Sequence, residues 1–157
     1  MMALSQIFAR LRFASGLAAF CFAASAVAET EYYRDATLPE GMPFSSAVVV
    51  GDLIFLSGHL GRIPETGALI EGGVGPETTQ TFRNISSSLS AVGASLSDIV
   101  SCTVFLDDLG DFQAMNEAYA AEFPGDKPAR ATLGADGLAL GAKVEIQCIA
   151  ARPAGAE

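Results

Sequence analysis

The chain has 157 residues, with 18 acids against 9 lysines and arginines and a formal net charge of −9. That excess of negative charge repels phosphate backbones and lacks the clustered cations that release counterions, which argues against a nucleic-acid partner. One histidine and no CxxC pair leave no zinc-ligand spacing, and the length suits one ordinary domain.

Residues 1–28 read as a cleavable secretory signal. Arg10 and Arg12 supply its positive start, Phe13 to Ala24 its uncharged apolar stretch, and Ala26 and Ala28 the small residues of a cleavage site before Glu29. The stretch is shorter than the about 20 apolar residues of a membrane span, and Phe20 before Cys21 does not suit lipid attachment. Cleavage would leave 7 cations against 18 acids, a net charge of −11. The expected location is therefore secreted or periplasmic, without attachment to anionic lipid once the signal is gone.

Residues 29–42 read as an extended lead-in. Ala47–Val50 and Leu53–Ser57 are apolar runs parted by Gly51-Asp52, the pattern of a hairpin. Gly61–Gly75 reads as loop, with a short strand near Leu69. Helical spacing begins after Pro76, where Phe82, Ile85, Leu89 and Val92 form one stripe, and Gly93 is a C-terminal stop. Ile99–Leu106 is a strand by composition and alternation. Asp107, Asp108 and Asp111 then flank a helix start, where acids favour the dipole, and read as capping. Phe112, Met115, Tyr119 and Phe123 mark a second helix, stopped by Pro124-Gly125. Ala129–Leu133 and Lys143–Ala151 read as the last strands, and residues 153–157 as a tail.

This order predicts an α+β fold, a mostly antiparallel sheet with two helices on one face. Val144, Ile146 and Cys148 point one way along the last strand; Glu145, Gln147 and Ile149 point the other. A half-polar second face with few charges implies a wet cavity or an oligomer interface. Cys102 and Cys148 both fall in apolar strands. In an oxidising compartment they could pair, but separate buried thiols are the commoner outcome.

One histidine and no nucleophile elbow exclude a serine triad, and Gly72-Gly-Val-Gly lacks the Lys-Ser/Thr ending of a phosphate loop. Arg130 is either a surface cation paired with an acid or a planar fork for a substrate carboxylate. Glu145 is either solvated at a sheet edge or a buried acid able to hold water and move a proton.

An ordered set of segments over residues 43–152 resembles the RidA/YjgF family of enamine/imine deaminases, also labelled endoribonuclease L-PSP. The set comprises Pro43-Phe-Ser-Ser-Ala, Gly51-Asp-Leu-Ile-Phe-Leu-Ser-Gly58, Thr79-Gln-Thr-Phe-Arg-Asn, Asp98-Ile-Val-x-x-Thr-Val-Phe-Leu-x-Asp-Leu, Phe112-x-x-Met-Asn116-x-x-Tyr119-x-x-x-Phe123, Pro128-Ala-Arg130 and Val144-Glu145-Ile. The resemblance implies a chorismate-mutase-like fold, a homotrimer with clefts between subunits, and hydrolysis of 2-imino or enamino acids to 2-keto acids and ammonia without a cofactor. It assigns catalysis to Arg130, on the substrate carboxylate, and Glu145, on the hydrolytic water. It places Phe44, Ser57, Gly58, Asn116 and Thr132 around a small carboxylate-bearing metabolite, with Arg130 and Glu145 facing one cleft. Phe44 stands where the family often has tyrosine, Thr132 for cysteine, His59 for glutamine and Gln147 for glutamate. His59 is a cleft residue or simply a satisfied side chain at the hairpin end. Three other functions fit the same sequence: a binding module without turnover, a hydrolase of related amides or imines, and a ribonuclease, which the charge opposes.

Overall fold

The computed structural model describes residues 29–153 other than positions 37 and 39. The expected signal segment and nearly all of the tail lie outside the described residues. Within them the chain forms β1 (Thr30–Tyr33), β2 (Ala47–Val50), β3 (Leu53–Leu56), β4 (His59–Leu60), α1 (Val74–Ala91), β5 (Ile99–Leu106), α2 (Phe112–Glu122), β6 (Ala129–Gly134) and β7 (Val144–Ala151). One sheet runs β1-β2-β3-β7-β5-β6, and β4 continues β3's side of the sheet by pairing with β7. Every pairing is antiparallel except β5–β6, whose crossover carries α2. The mixed α+β class read from the sequence is the fold observed.

Local chemistry explains the boundaries. Gly51 takes φ +55° in the tight β2–β3 turn, a backbone state that costs glycine nothing. Helix α1 starts at Val74 and so holds Pro76 inside its first turn. It ends as the sequence predicts: Gly93 adopts φ +77°, its N–H reaches Ser90 O, and the Ala94 N–H reaches Leu89 O. The lead-in is taken up partly as β1 along β2, and the Gly61–Gly75 loop is braced by an isolated Arg62–Leu69 bridge.

Both helices lie on one face of the sheet. Phe82, Ile85 and Leu89 of α1 and Met115, Tyr119 and Phe123 of α2 are buried there against alternate residues of the strands. Phe82 meets Tyr119 and Phe123 edge-on, with ring centroids 5.2 and 5.3 Å apart. Among the described residues no helix covers the opposite sheet face. Leu53, Phe55 and Leu133 stay exposed there, on the face that Gln147 shares with them.

Cys102 and Cys148 form a disulfide, the less common of the two outcomes the sequence leaves open. They sit opposite each other in the β5–β7 register. Both point into the core, and their Cα atoms are 4.1 Å apart. Alternation had placed both on the apolar face; what the sequence does not display is that these two strands, 46 residues apart, are neighbours.

Candidate active site

Glu145 projects from β7 onto the open face of the sheet, between the buried Val144 and Ile146 that point into the core. It is paired with Leu60 of β4 on one side and Phe105 of β5 on the other. Its carboxylate lies against Gly58, where any Cβ would overlap Glu145 Oε1, so this approach requires glycine. Partial burial pushes the Glu145 carboxyl above the usual carboxylate range. Among the described residues it has no hydrogen-bond or ion-pair partner.

The strand end holding Gly58 is tied down by side chains. The Ser57 hydroxyl donates to Ser45 O at 2.7 Å, and the Ser57 N–H reaches Ser46 O at 3.0 Å. His59 Nδ1 lies 2.8 Å from Ser57 O, and Nε2 lies 3.0 Å from the Ser88 hydroxyl. A carbonyl can only accept, so Nδ1 carries the proton and Nε2 accepts from Ser88. Burial lowers the His59 pKa, opposed by the Ser57 carbonyl and the charge of Asp35. His59 is thus held neutral and braces the turn under Glu145. Asn84, the last residue of the Thr79-Gln-Thr-Phe-Arg-Asn segment, adds a brace that no local pattern signals: its amide donates to Leu60 O and Arg62 O at 2.9 and 2.8 Å. Phe44, Ser57, Gly58, His59 and Glu145 line one cavity of about 690 Å³.

Arg130 lies elsewhere. It stands opposite Cys102 in the parallel β5–β6 register and shares that residue's helix-side direction. Its Nη2 donates to Asn116 Oδ1 at 2.8 Å, and its guanidinium sits 4.5 Å from the Tyr119 ring centroid and 5.8 Å from that of Phe112. Phe112, Asn116 and Tyr119 follow one face of α2, so a stripe read only as core also builds the arginine's seat. No carboxylate pairs with Arg130 among the described residues. Asn116, Tyr119, Lys127, Pro128 and Arg130 line a second cavity of about 400 Å³. Thr132 shares Arg130's face two residues on, opposite Val104.

The strand pleat therefore separates the two groups expected to share a cleft. Glu145 and Arg130 occupy opposite faces of one sheet, because side chains alternate along each strand and register partners share a face. A single chain brings Phe44, Ser57, Gly58 and Glu145 together, and separately Asn116 and Arg130.

A profile of the family described as Endoribonuclease L-PSP matches residues 35–152. The chain belongs to the RidA/YjgF family. Two relatives carry that family's chemistry in their names. Reactive Intermediate Deaminase A, chloroplastic, of Arabidopsis thaliana is 46% identical over 108 residues, covering 69% of this chain and 58% of the relative. The 2-iminobutanoate/2-iminopropanoate deaminase of Homo sapiens is 38% identical over 108 residues, covering 69% of this chain and 79% of that one. The crystal structure of the YjgF gene product from E. coli superimposes with a TM-score of 0.72 at 31% identity, over 78% of this chain and 99% of the other. The family match takes in β2 to β7 and both helices.

Proposed function

We propose that this chain hydrolyses reactive 2-imino acids to 2-keto acids and ammonia, at clefts that two neighbouring copies complete within an exported homotrimer. The relatives named as deaminases support the reaction. The observation that carries the site is the placement of Arg130 and Glu145 on opposite faces of one chain, each in its own cavity and neither in an ion pair among the described residues. A second copy that offers its Arg130 face to the first copy's Glu145 face would bring the two together. The apolar open sheet face, with Leu53, Phe55 and Leu133 exposed, supports such packing. The N-terminal signal pattern supports export, as does a Cys102–Cys148 disulfide of the kind that persists in oxidising compartments.

In this reading Arg130 binds the substrate carboxylate through its guanidinium fork and so orients the C=N carbon. Glu145 accepts a proton from water as the water oxygen bonds to the carbon of the protonated imine, and the C=N π pair moves to nitrogen. Glu145 then passes that proton to the amino group of the resulting aminoalcohol and takes the hydroxyl proton as the C–N bond breaks; ammonia departs, takes up this proton, and leaves a 2-keto acid. A carboxyl whose pKa is raised by burial is the better proton acceptor for both steps. A ribonuclease reading is opposed by the net charge.

The test is subunit complementation. Arg130→Ala and Glu145→Gln chains are each expected to leave the decay of 2-iminobutanoate near its uncatalysed rate. Random co-assembly of the two should restore about a quarter of wild-type activity, because a quarter of the interfaces then hold both intact groups. Absence of recovery in verified mixed oligomers would overturn the shared cleft. Wild-type protein that binds 2-oxobutanoate calorimetrically yet leaves imine decay unchanged would instead be a binding module.

A further inference from the structure

The cavity that holds Glu145 is built for more than a small imine. In the single chain, before a second copy closes part of it, the cavity measures about 690 Å³, in the size range that takes ligands larger than a four-carbon imino acid. Its walls are divided. Ser46, Ser57, His59, Asn84, Ser87 and Glu145 give it a polar side; Leu38, Met42, Phe44, Leu60, Pro64 and Leu140 give it an apolar one. The apolar wall begins at the acid itself, because Leu60 sits opposite Glu145 in the β4–β7 register and so shares its face. Two of the three charged groups beside it, Asp35 and Glu145, are acids, and the third, Arg62, is held to the Gly67 carbonyl through Nε and keeps its charge.

Leu140 is the least expected member of this wall. It is 68% exposed, and among the described residues it alone, glycines apart, has a positive φ, +62°. Glycine would take that backbone without the crowding a Cβ brings. The chain instead holds a large apolar side chain there, bare to solvent, at the cavity that contains the acid.

The geometry points to a substrate class: 2-imino acids with a bulky, uncharged apolar side chain, such as those formed from leucine, methionine or phenylalanine, with Leu140 as a specificity-determining residue. This rests on the deaminase reading proposed above. The carboxylate and the C=N carbon are common to all 2-imino acids. The side chain is the part that reaches Phe44, Leu60 and Leu140, where displacing water from apolar walls favours the larger substrate.

The test measures kcat/KM, after subtraction of spontaneous decay, for imines generated in situ from L-phenylalanine, L-leucine and L-alanine. Binding of phenylpyruvate and pyruvate is followed alongside by calorimetry. The bulky imines are expected to exceed the alanine-derived one by about 10-fold or more, and phenylpyruvate to bind tighter than pyruvate by a similar factor. Leu140→Gly removes the side chain while relieving the backbone, so it should fold at least as well, and the preference should fall about fivefold toward parity. Equal handling of small and bulky imines, with 2-iminopropanoate hydrolysed well, would overturn this inference and leave the deaminase reading intact. Hydrolysis of none would overturn the deaminase reading, and equal binding of the two keto acids would then overturn this one as well. An unchanged preference in Leu140→Gly, accompanied by loss of the oligomer, would show that the leucine packs against a second copy and would refute its role here.

Discussion

Reduction of the Cys102–Cys148 bond should cost this domain a large part of its stability. The bridge joins residues 46 apart and encloses most of β5, all of α2 and β6, and the first half of β7. Constraining an unfolded loop of that length is worth about 4 kcal/mol in the chain-entropy account, against a typical total of about 5–15 kcal/mol for a domain. The two cysteines face each other directly between paired strands, so the native state needs no rearrangement to hold the bond. Protein reduced in denaturant, refolded and kept under reductant should unfold in urea with a free energy lower by about that amount, and with a midpoint temperature roughly 10–20 °C lower. Comparison at one protein concentration removes any contribution from assembly. The sulfurs belong to residues only 2% and 1% exposed. A reductant added to folded protein should therefore act only at the rate of opening, which a thiol-reactive mass label would follow. A difference below about 1 kcal/mol between oxidised and reduced protein would refute the reasoning, because it would mean that the loop is already constrained in the unfolded chain.

Glu145→Gln should stabilise the fold while abolishing turnover. The Glu145 pKa is raised on folding, so the native carboxyl binds its proton more tightly than the unfolded one. Its contribution is favourable at low pH and is lost as pH rises from about 4.5 through the folded value. At neutral pH the wild type bears that cost and the glutamine variant does not. Urea titrations at pH 4 and 7 should show the variant gaining on the wild type as pH rises, and a constant difference would contradict this. Gly58→Ala would drive a Cβ into Glu145 Oε1, and the carboxylate is the group free to swing away. The expected result is a nearly unchanged midpoint temperature with imine hydrolysis reduced by about 100-fold, the order of loss that follows a misplaced reacting group. Undiminished hydrolysis would remove Glu145 from the chemistry.

Most of the fold was legible because burial here follows period. The stripe Phe82, Ile85, Leu89 and the alternation along Val144, Ile146 and Cys148 each name a face without help from the rest of the chain. The glycine at position 93 announces its own stop. What pattern alone did not disclose is pairing. Whether β5 lies beside β7 decides that Cys102 meets Cys148, and no local signal carries a contact across 46 residues. The site divided in the same way. Glu145 and Gly58 could be suspected from segment order, and Arg130 from its rarity in an acidic chain. That the pleat places them on opposite faces depends on the parallel β5–β6 register, again a non-local fact. Leu140 gave no sequence signal, because a positive φ at leucine runs against its propensity.

The separation of Arg130 from Glu145 within a chain also makes electrostatic sense. Arg130 and Glu145 placed within reach on one face would pair; the pair would lower the acid's pKa and occupy the guanidinium. Either change would remove a function: a salt-bridged carboxylate is a poor proton acceptor, and a saturated fork has no donors left for substrate. The chain avoids this in a setting where acids outnumber cations two to one. Arg130 is held by a neutral amide oxygen and the faces of two aromatic rings, which fix its direction and leave its charge uncompensated. Glu145 is held against a glycine and an apolar strand, with nothing among the described residues donating to it. In a cleft completed by a second copy, the substrate's carboxylate would be the first anion to reach the arginine, and its water the first donor to reach the acid. Assembly would then place the two charges across the substrate, where each acts on a different part of it.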